Sequence, residues 1–98
     1  MPFRCDIRLD PVQLDRTLEL PAHIQAWLVE PAMMVEPGTP LARLSMGGTL
    51  FDLMIRFRCQ VAAIEAQTGV DLRPGDLLVR VAADGEEIPP GFRYCELA

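Results

Sequence analysis

The feature that most constrains the fold of this chain is an internal repeat, a ten-residue pattern that occurs twice. Residues 35–44 (VEPGTPLARL) align without gaps on residues 72–81 (LRPGDLLVRV), 37 positions further on. Both copies contain Pro-Gly, and a leucine and an arginine follow at matching positions. Pro-Gly reverses the chain because proline fixes its own φ and glycine adopts positive φ. We therefore expect two similar halves that pack on each other about an approximate twofold axis.

The pieces between the turns are short and have the pattern of strands. Nine prolines and seven glycines divide the 98 residues, and no piece carries a sustained helical pattern of apolar residues. Apolar and polar residues alternate from Phe3 to Leu9, which is typical of a strand with one buried face. Apolar residues at even positions from Val12 to Leu20 predict a second extended segment, ended by Pro21. Further strands are predicted at 24–29, 41–46, 50–57, 61–66 and 77–81.

Many short strands separated by turn residues predict an all-β fold. We expect a flattened barrel or sandwich of two quasi-symmetric halves, with an added N-terminal strand segment. The chain is one domain, 1–98, which we divide into an N-terminal extension at 1–20, a core at 22–81 and a C-terminal strand and tail at 82–98. Within the last part, the acidic run Asp84-Gly85-Glu86-Glu87 is predicted to be a solvated turn.

Two segments in matching register resemble a biotinyl/lipoyl carrier domain. Residues 27–42 (WLVEPAMMVEPGTPLA) follow the run Trp-x-Val-x-x-Gly-Asp-x-Val-x-x-Gly-Asp-x-Leu of the first half of that family, and residues 61–78 are similar to its returning half. The resemblance covers about residues 22–81 and implies a flattened barrel of two quasi-symmetric sheets. It departs from the family at Ala32-Met33, where the family has its first Gly-Asp, so we expect different turn chemistry there.

The second departure concerns the cofactor. The family carries biotin or lipoate on a lysine at the tip of the hairpin between its halves. Here that tip is Gly47, Gly48 and Thr49, and the chain contains no lysine. Gly-Gly suits the positive φ of a primed hairpin turn, so we expect the hairpin to be kept as a degenerate attachment turn without a covalent cofactor. The sequence therefore excludes a role as a swinging-arm carrier.

Charge and hydropathy argue against binding nucleic acid or membranes. The formal net charge is −5, and a nucleic-acid module would carry a basic surface. The longest uncharged stretch, residues 20–29, is too short for a membrane helix of about 20 residues. The first residues carry Asp6 early and no apolar run follows, so they do not form a secretory signal. We expect a cytoplasmic protein.

No pattern indicates catalysis or metal binding. Cys5, Cys59 and Cys95 form no close Cys-x-x-Cys pair, and the single histidine is isolated, so neither a zinc site nor another metal site is predicted. His23 has no serine, cysteine or carboxylate at a recognisable spacing, so we expect no catalytic residue and no enzyme. Trp27 is predicted to belong to the core, and the cysteines are predicted to be buried reduced thiols.

The functional prediction is a non-catalytic protein-interaction module that carries no cofactor. An alternative is an accessory or regulatory subunit of a carboxylase or acyltransferase-type system, whose enzymes recognise the fold without a cofactor on it. The predicted interaction surface consists of Met33 and Met34, where apolar residues replace a polar turn, together with Phe3 and Ile7 of the first strand. Alternatively, the N-terminal segment covers that turn. The protein partner is unknown, and we favour a homodimer with these residues in the contact.

Overall fold

Two antiparallel four-stranded sheets make up the fold. A computed structural model of the chain describes residues 3–83 and 92–98. Its elements are β1 (Phe3–Arg8), α1 (Pro11–Leu14), β2 (Ala22–Trp27), β3 (Met34–Val35), β4 (Pro40–Met46), β5 (Thr49–Ile55), β6 (Cys59–Ile64), β7 (Leu77–Ala83) and β8 (Cys95–Leu97). The strand orders are β1-β7-β6-β3 and β2-β4-β5-β8. The predicted all-β sandwich of two halves is confirmed, although the sheets do not close into a barrel.

The two halves use the same strand pairs, displaced by 37 residues. Strands β2 and β4 pair in the first half as β6 and β7 do in the second, and the register shifts at the same place in both ladders. The equivalent pairs are Ile24–Leu44 with Val61–Val81, Ala26–Arg43 with Ala63–Arg80, and Trp27–Ala42 with Ile64–Val79. Positions 37 apart are called equivalent below.

Each half closes on the other. Val35 of β3 pairs with Cys59 of β6, and its equivalent Leu72 pairs with Ala22 of β2. The turn before each of these residues also bonds to the other half. The Ala32 N–H donates to the Val61 carbonyl (2.7 Å), and the Gly69 N–H donates to the Ile24 carbonyl (3.0 Å). Buried backbone groups of one half therefore find their partners in the other, so neither half is complete by itself.

Strand β1 completes the second half. It pairs with β7 as β5 pairs with β4, so Ile7 opposite Val79 corresponds to Leu53 opposite Ala42. Residues 46 apart in β1 and β5 thus occupy matching places. The N-terminal segment contributes this one strand and the short helix α1, not a pair of strands.

The extended segment predicted between Val12 and Leu20 is wrong, because the chain forms α1 there. The Asp10 carboxylate accepts a hydrogen bond from the Val12 N–H (2.7 Å), and Pro11 occupies the first turn, two features that start helices. Asp15, with φ +53°, ends the helix in the left-handed region. The apolar residue that matters is Leu14, which is fully buried.

The core lies between the sheets and draws apolar side chains from both. Its largest fully buried members include Ile7, Leu14, Ile24, Leu44, Leu53 and Val61. Trp27 is half-buried against this core, and its indole N–H donates to the Ala66 carbonyl (2.8 Å) across the halves. The predicted turn at 84–87 lies outside the described residues. In the part of the chain that the structure describes, no helix is long and apolar enough to cross a membrane.

Candidate interaction surface

The hairpin between β4 and β5 has the geometry that its sequence predicts. Gly47 (φ +55°) and Gly48 (φ +83°) form its two-residue loop, and Met46 pairs with Thr49 below it. Positive φ at both loop positions is the primed turn, so this prediction is confirmed. The Glu19 side chain lies 3.1 Å from the place of a Cβ on Gly47, whereas a Cβ on Gly48 would meet only open space. The tip of the hairpin therefore has an exposed position at Gly48 but no amine to which a cofactor could be attached.

The four residues of the predicted interaction surface do not lie together. Phe3 and Ile7 are on β1, and Met34 is on β3, at opposite edges of the same sheet. Three strand spacings separate these edges, about 14 Å. Ile7 is fully buried, so it is a core residue and not part of a surface, and Phe3 is half-buried. Alternation along β1 explains both, because its odd positions face the core.

Met33 and Met34 are exposed, at 40% and 45%. The alternative in which the N-terminal segment covers them is wrong, because β1 pairs with β7 on the far side of the sheet. Leu28, at 47%, is exposed at the start of the same connection. We call Leu28, Met33 and Met34 the loop surface. The sequence reasoning missed Leu28, although its alignment with Glu65 at the 37-residue offset was a signal that could have found it.

The second half provides a comparison within the same molecule. The residues equivalent to Leu28, Met33 and Met34 are Glu65, Val70 and Asp71. The backbone is held in the same way at the first pair of positions: the Leu28 N–H donates to the Leu41 carbonyl (2.9 Å), and the Glu65 N–H donates to the Leu78 carbonyl (3.0 Å). At the third pair it differs, because Met34 pairs with Gln60 in β3 whereas Asp71 lies outside the strands. Since the second half has Glu65 where the first half has Leu28, with the same backbone hydrogen bond, the fold does not need an apolar residue at that position.

The surfaces of the two halves consequently differ in chemistry. Around Val70 the second half has a shallow cleft of about 410 Å³, and its lining includes Glu65, Asp71 and Asp76. The first half presents a leucine and two methionines at the corresponding place. Methionine is flexible and polarisable, and exposed apolar groups of this kind are common where proteins bind partners.

The turn at Ala32 shows how the first half departs from the second. Ala32 has φ +71°, and its equivalent Gly69 has φ +77°. An alanine in the left-handed region costs about 1–2 kcal/mol more than a glycine. The turn at Ala32 therefore follows the same backbone path as the turn at Gly69, with a residue that is less suited to positive φ.

The three thiols are buried, as predicted, and are unpaired with one another. Burial raises the pKa of Cys59 to about 11, and it also raises the pKa values of Cys5 and Cys95. The Tyr94 hydroxyl beside them donates to the Asp6 carbonyl (2.8 Å). Thiols held neutral in an apolar interior are poor nucleophiles, so these are structural residues.

Other polar groups form ion pairs or local contacts. A ring nitrogen of His23 lies 3.2 Å from the Gln25 side-chain oxygen. Among residues 3–83 and 92–98, no group of three or more His, Cys, Asp or Glu is placed to hold a metal ion. Arg56 binds the carboxylates of Asp15 (3.0 Å) and Glu96 (3.1 Å), which ties α1 and β8 to the end of β5.

Known proteins provide no identification. No protein-family model, curated protein or solved structure matches this chain. The function is therefore inferred from the geometry of the molecule.

Proposed function

We propose that this protein is a non-catalytic protein-interaction module with a biotinyl/lipoyl-like fold and no covalent cofactor, and that it binds its partner through the loop surface. The biotinyl/lipoyl-like fold in this proposal is supported by the way in which each half pairs a strand with the other half. Val35 pairs with Cys59, and Leu72 pairs with Ala22. The hairpin at Gly47 and Gly48 also supports it, since the family places its modified lysine on such a turn.

One observation supports the choice of the loop surface as the binding site. The first half exposes Leu28, Met33 and Met34 where the second half has Glu65, Val70 and Asp71, although the backbones of Leu28 and Glu65 are held alike. Exposed apolar side chains lower solubility and give the fold nothing at these positions. A partner that covers them accounts for their presence, because burying apolar surface is the main favourable term in association.

The test compares two matched double variants. Leu28→Glu/Met34→Asp gives the loop surface the charges of the second half, whereas Leu20→Glu/Leu50→Asp places the same charges at exposed leucines elsewhere. Wild-type chain and both variants are used to capture proteins from an extract of the source cells, which are then quantified by mass spectrometry. We expect a partner to be recovered with wild type and with the control, and to fall at least tenfold with the loop variant.

Equal recovery with all three chains would show that the loop surface is not the contact. The identity of the recovered protein separates the general proposal from its alternative, because a carboxylase or acyltransferase subunit would indicate an accessory role. Recovery of this same chain would identify the contact as the homodimer that the sequence analysis favours. Its stable interface needs about 1,200 Å² or more of buried surface.

A further inference from the structure

Strand β8 covers the outer edge of β5. The Asp52 N–H donates to the Ala98 carbonyl (2.9 Å), the Ala98 N–H donates to the Asp52 carbonyl (3.1 Å), and the Arg56 N–H donates to the Tyr94 carbonyl (2.9 Å). Met54 lies between them, opposite Glu96. Residues 94–98 therefore satisfy the outward backbone groups of β5, which an open sheet edge would leave free for another chain.

The equivalent edge in the second half has no such strand. Asp6 of β1 corresponds to Asp52, since their partners Arg80 and Arg43 are equivalent. Here two side chains cap the edge: the Tyr94 hydroxyl donates to the Asp6 carbonyl, and the Arg8 N–H donates to the Gln13 side-chain oxygen (2.5 Å). The second half of the fold therefore forms without a strand equivalent to β8 on its edge.

The segment that contains β8 is held by few apolar contacts and by several exposed polar ones. Cys95 is fully buried opposite Ile55, and Leu97 is half-buried opposite Leu53. The carboxylate of Glu96 binds Arg56, but both side chains are more than a third exposed, and ion pairs of that kind contribute little. Just before β8, Arg93 binds Asp15, the Arg56 guanidinium donates to the Arg93 carbonyl (3.3 Å), and the Tyr94 ring packs edge-on against Phe57. The polar contacts are exposed, and a three-residue strand with only two apolar side chains in the core belongs to the less stable part of a fold.

We propose that the β5 edge is a second binding site, which takes an extended segment of a partner protein, and that β8 fills this site in the isolated chain. The segment carries an apolar, an acidic and an apolar residue in succession, like Cys95, Glu96 and Leu97. Its backbone would pair with β5, and its acidic side chain would bind Arg56. Displacement of β8 would also draw Tyr94 away from Asp6 and so uncover the edge of β1. This site is independent of the loop surface.

The test uses the full chain and a labelled peptide with the sequence of residues 92–98, FRYCELA, under reducing conditions. Leu97→Asp weakens the attached β8, and Leu50→Asp makes the same change on β5 away from it. Wild type and Leu50→Asp should bind the peptide weakly, because the tethered strand competes at a high effective concentration. We expect Leu97→Asp to bind it at least tenfold more tightly, measured by fluorescence anisotropy. The same peptide with Glu96→Lys should bind that variant about two- to fivefold less tightly than the native peptide, because the ion pair with Arg56 is exposed.

Amide hydrogen exchange locates the binding. In Leu97→Asp the amides of Asp52 and Arg56 should exchange faster and regain protection when the peptide is added, whereas that of Leu53, which pairs with β4, should not change. Glu96→Lys in the full chain removes the ion pair with Arg56 and should change the same amides to a smaller degree.

Three results would overturn the proposal. The first is equal peptide binding by Leu97→Asp and Leu50→Asp. The second is loss of tertiary structure in both β8 variants, which would make β8 a required part of the fold. The third is a dimer of Leu97→Asp without peptide, since the edge would then bind a second copy and not a partner's strand.

Discussion

At the scale of single residues, Ala32 is where this chain departs most clearly from its own second half. It has the left-handed backbone that its equivalent Gly69 adopts without strain. We predict that Ala32→Gly raises the free energy of unfolding by about 1 kcal/mol, because it removes that strain. Gly69→Ala should lower it by about 1–2 kcal/mol. No neighbouring atom lies within 4 Å of the new Cβ, so only backbone strain contributes. Urea denaturation followed by circular dichroism measures both.

The control for this pair is Ala82→Gly, on a strand without positive φ. There the added backbone freedom should lower the free energy of unfolding by about 0.5–1 kcal/mol. If Ala32→Gly is destabilising to the same degree, the turn does not have the conformation described.

The buried thiols predict how stability depends on pH. An unfolded Cys59 loses its proton near its ordinary pKa of 9.0, whereas the folded protein holds it until about 11. The stability linked to this thiol is therefore complete below pH 9 and is lost as pH rises towards 11. Within that window the unfolding equilibrium constant should rise by up to tenfold per pH unit for each such thiol. Chemical denaturation between pH 8 and 11 measures the effect.

Cys59→Ala is the control, and the fall in stability should be shallower for it. At pH 8 the native wild type should resist iodoacetamide at all three cysteines, and the unfolded chain should take up three labels. Rapid alkylation of the native protein would contradict the burial.

At the scale of elements, the two halves are joined by contacts that each provides for the other. The Trp27 indole is one of these, since it reaches from β2 to the Ala66 carbonyl beyond β6. We predict that Trp27→Phe lowers the free energy of unfolding by about 1–3 kcal/mol, because it leaves a half-buried carbonyl without its donor. Ile64→Val, at the equivalent position, makes no such bond and should cost about 1 kcal/mol. Equal effects, measured by denaturation, would mean that the bond does not hold the halves together.

The elements that could be predicted from the sequence are those with a period-two pattern or a turn signal. Strands β1, β2, β4, β5, β6 and β7 lie within about two residues of their predicted positions. The stretch after Pro11 could not be predicted in this way, because its apolar residues at even positions were compatible with a strand. The hydrogen bond from the Val12 N–H to the Asp10 side chain stabilises a helix there instead. The burial of Ile7 could have been predicted, because the alternation from Phe3 to Leu9 places the apolar residues of that strand on its buried face.

The candidate site was predictable only in part. Met33 and Met34 stand out in the sequence because apolar residues are unusual in a turn. Leu28 does not, since a leucine next to Trp27 resembles the rest of a strand. Its alignment with the charged Glu65 at the 37-residue offset is the one signal in the sequence, and the matching hydrogen bonds of the two residues support that equivalence.

At the scale of the whole molecule, the absence of lysine has a direct consequence. Biotin and lipoate ligases join their cofactor to a lysine amine through an amide, and the hairpin tip provides glycines instead. We predict that incubation with either ligase, its cofactor and ATP leaves the intact mass of the chain unchanged. A carrier domain that keeps its lysine is the positive control. An adduct on any side chain, detected by mass spectrometry, would contradict the prediction.

The central claim is that the loop surface serves binding and not folding. Its most direct test is the equilibrium unfolding of the triple variant Leu28→Glu/Met33→Val/Met34→Asp, which gives the first half the residues of the second. Since the fold already accepts these residues at equivalent positions, the free energy of unfolding should stay within about 0.5 kcal/mol of wild type, as for surface substitutions. A loss of several kcal/mol would mean that these side chains hold the fold together, and it would contradict the account.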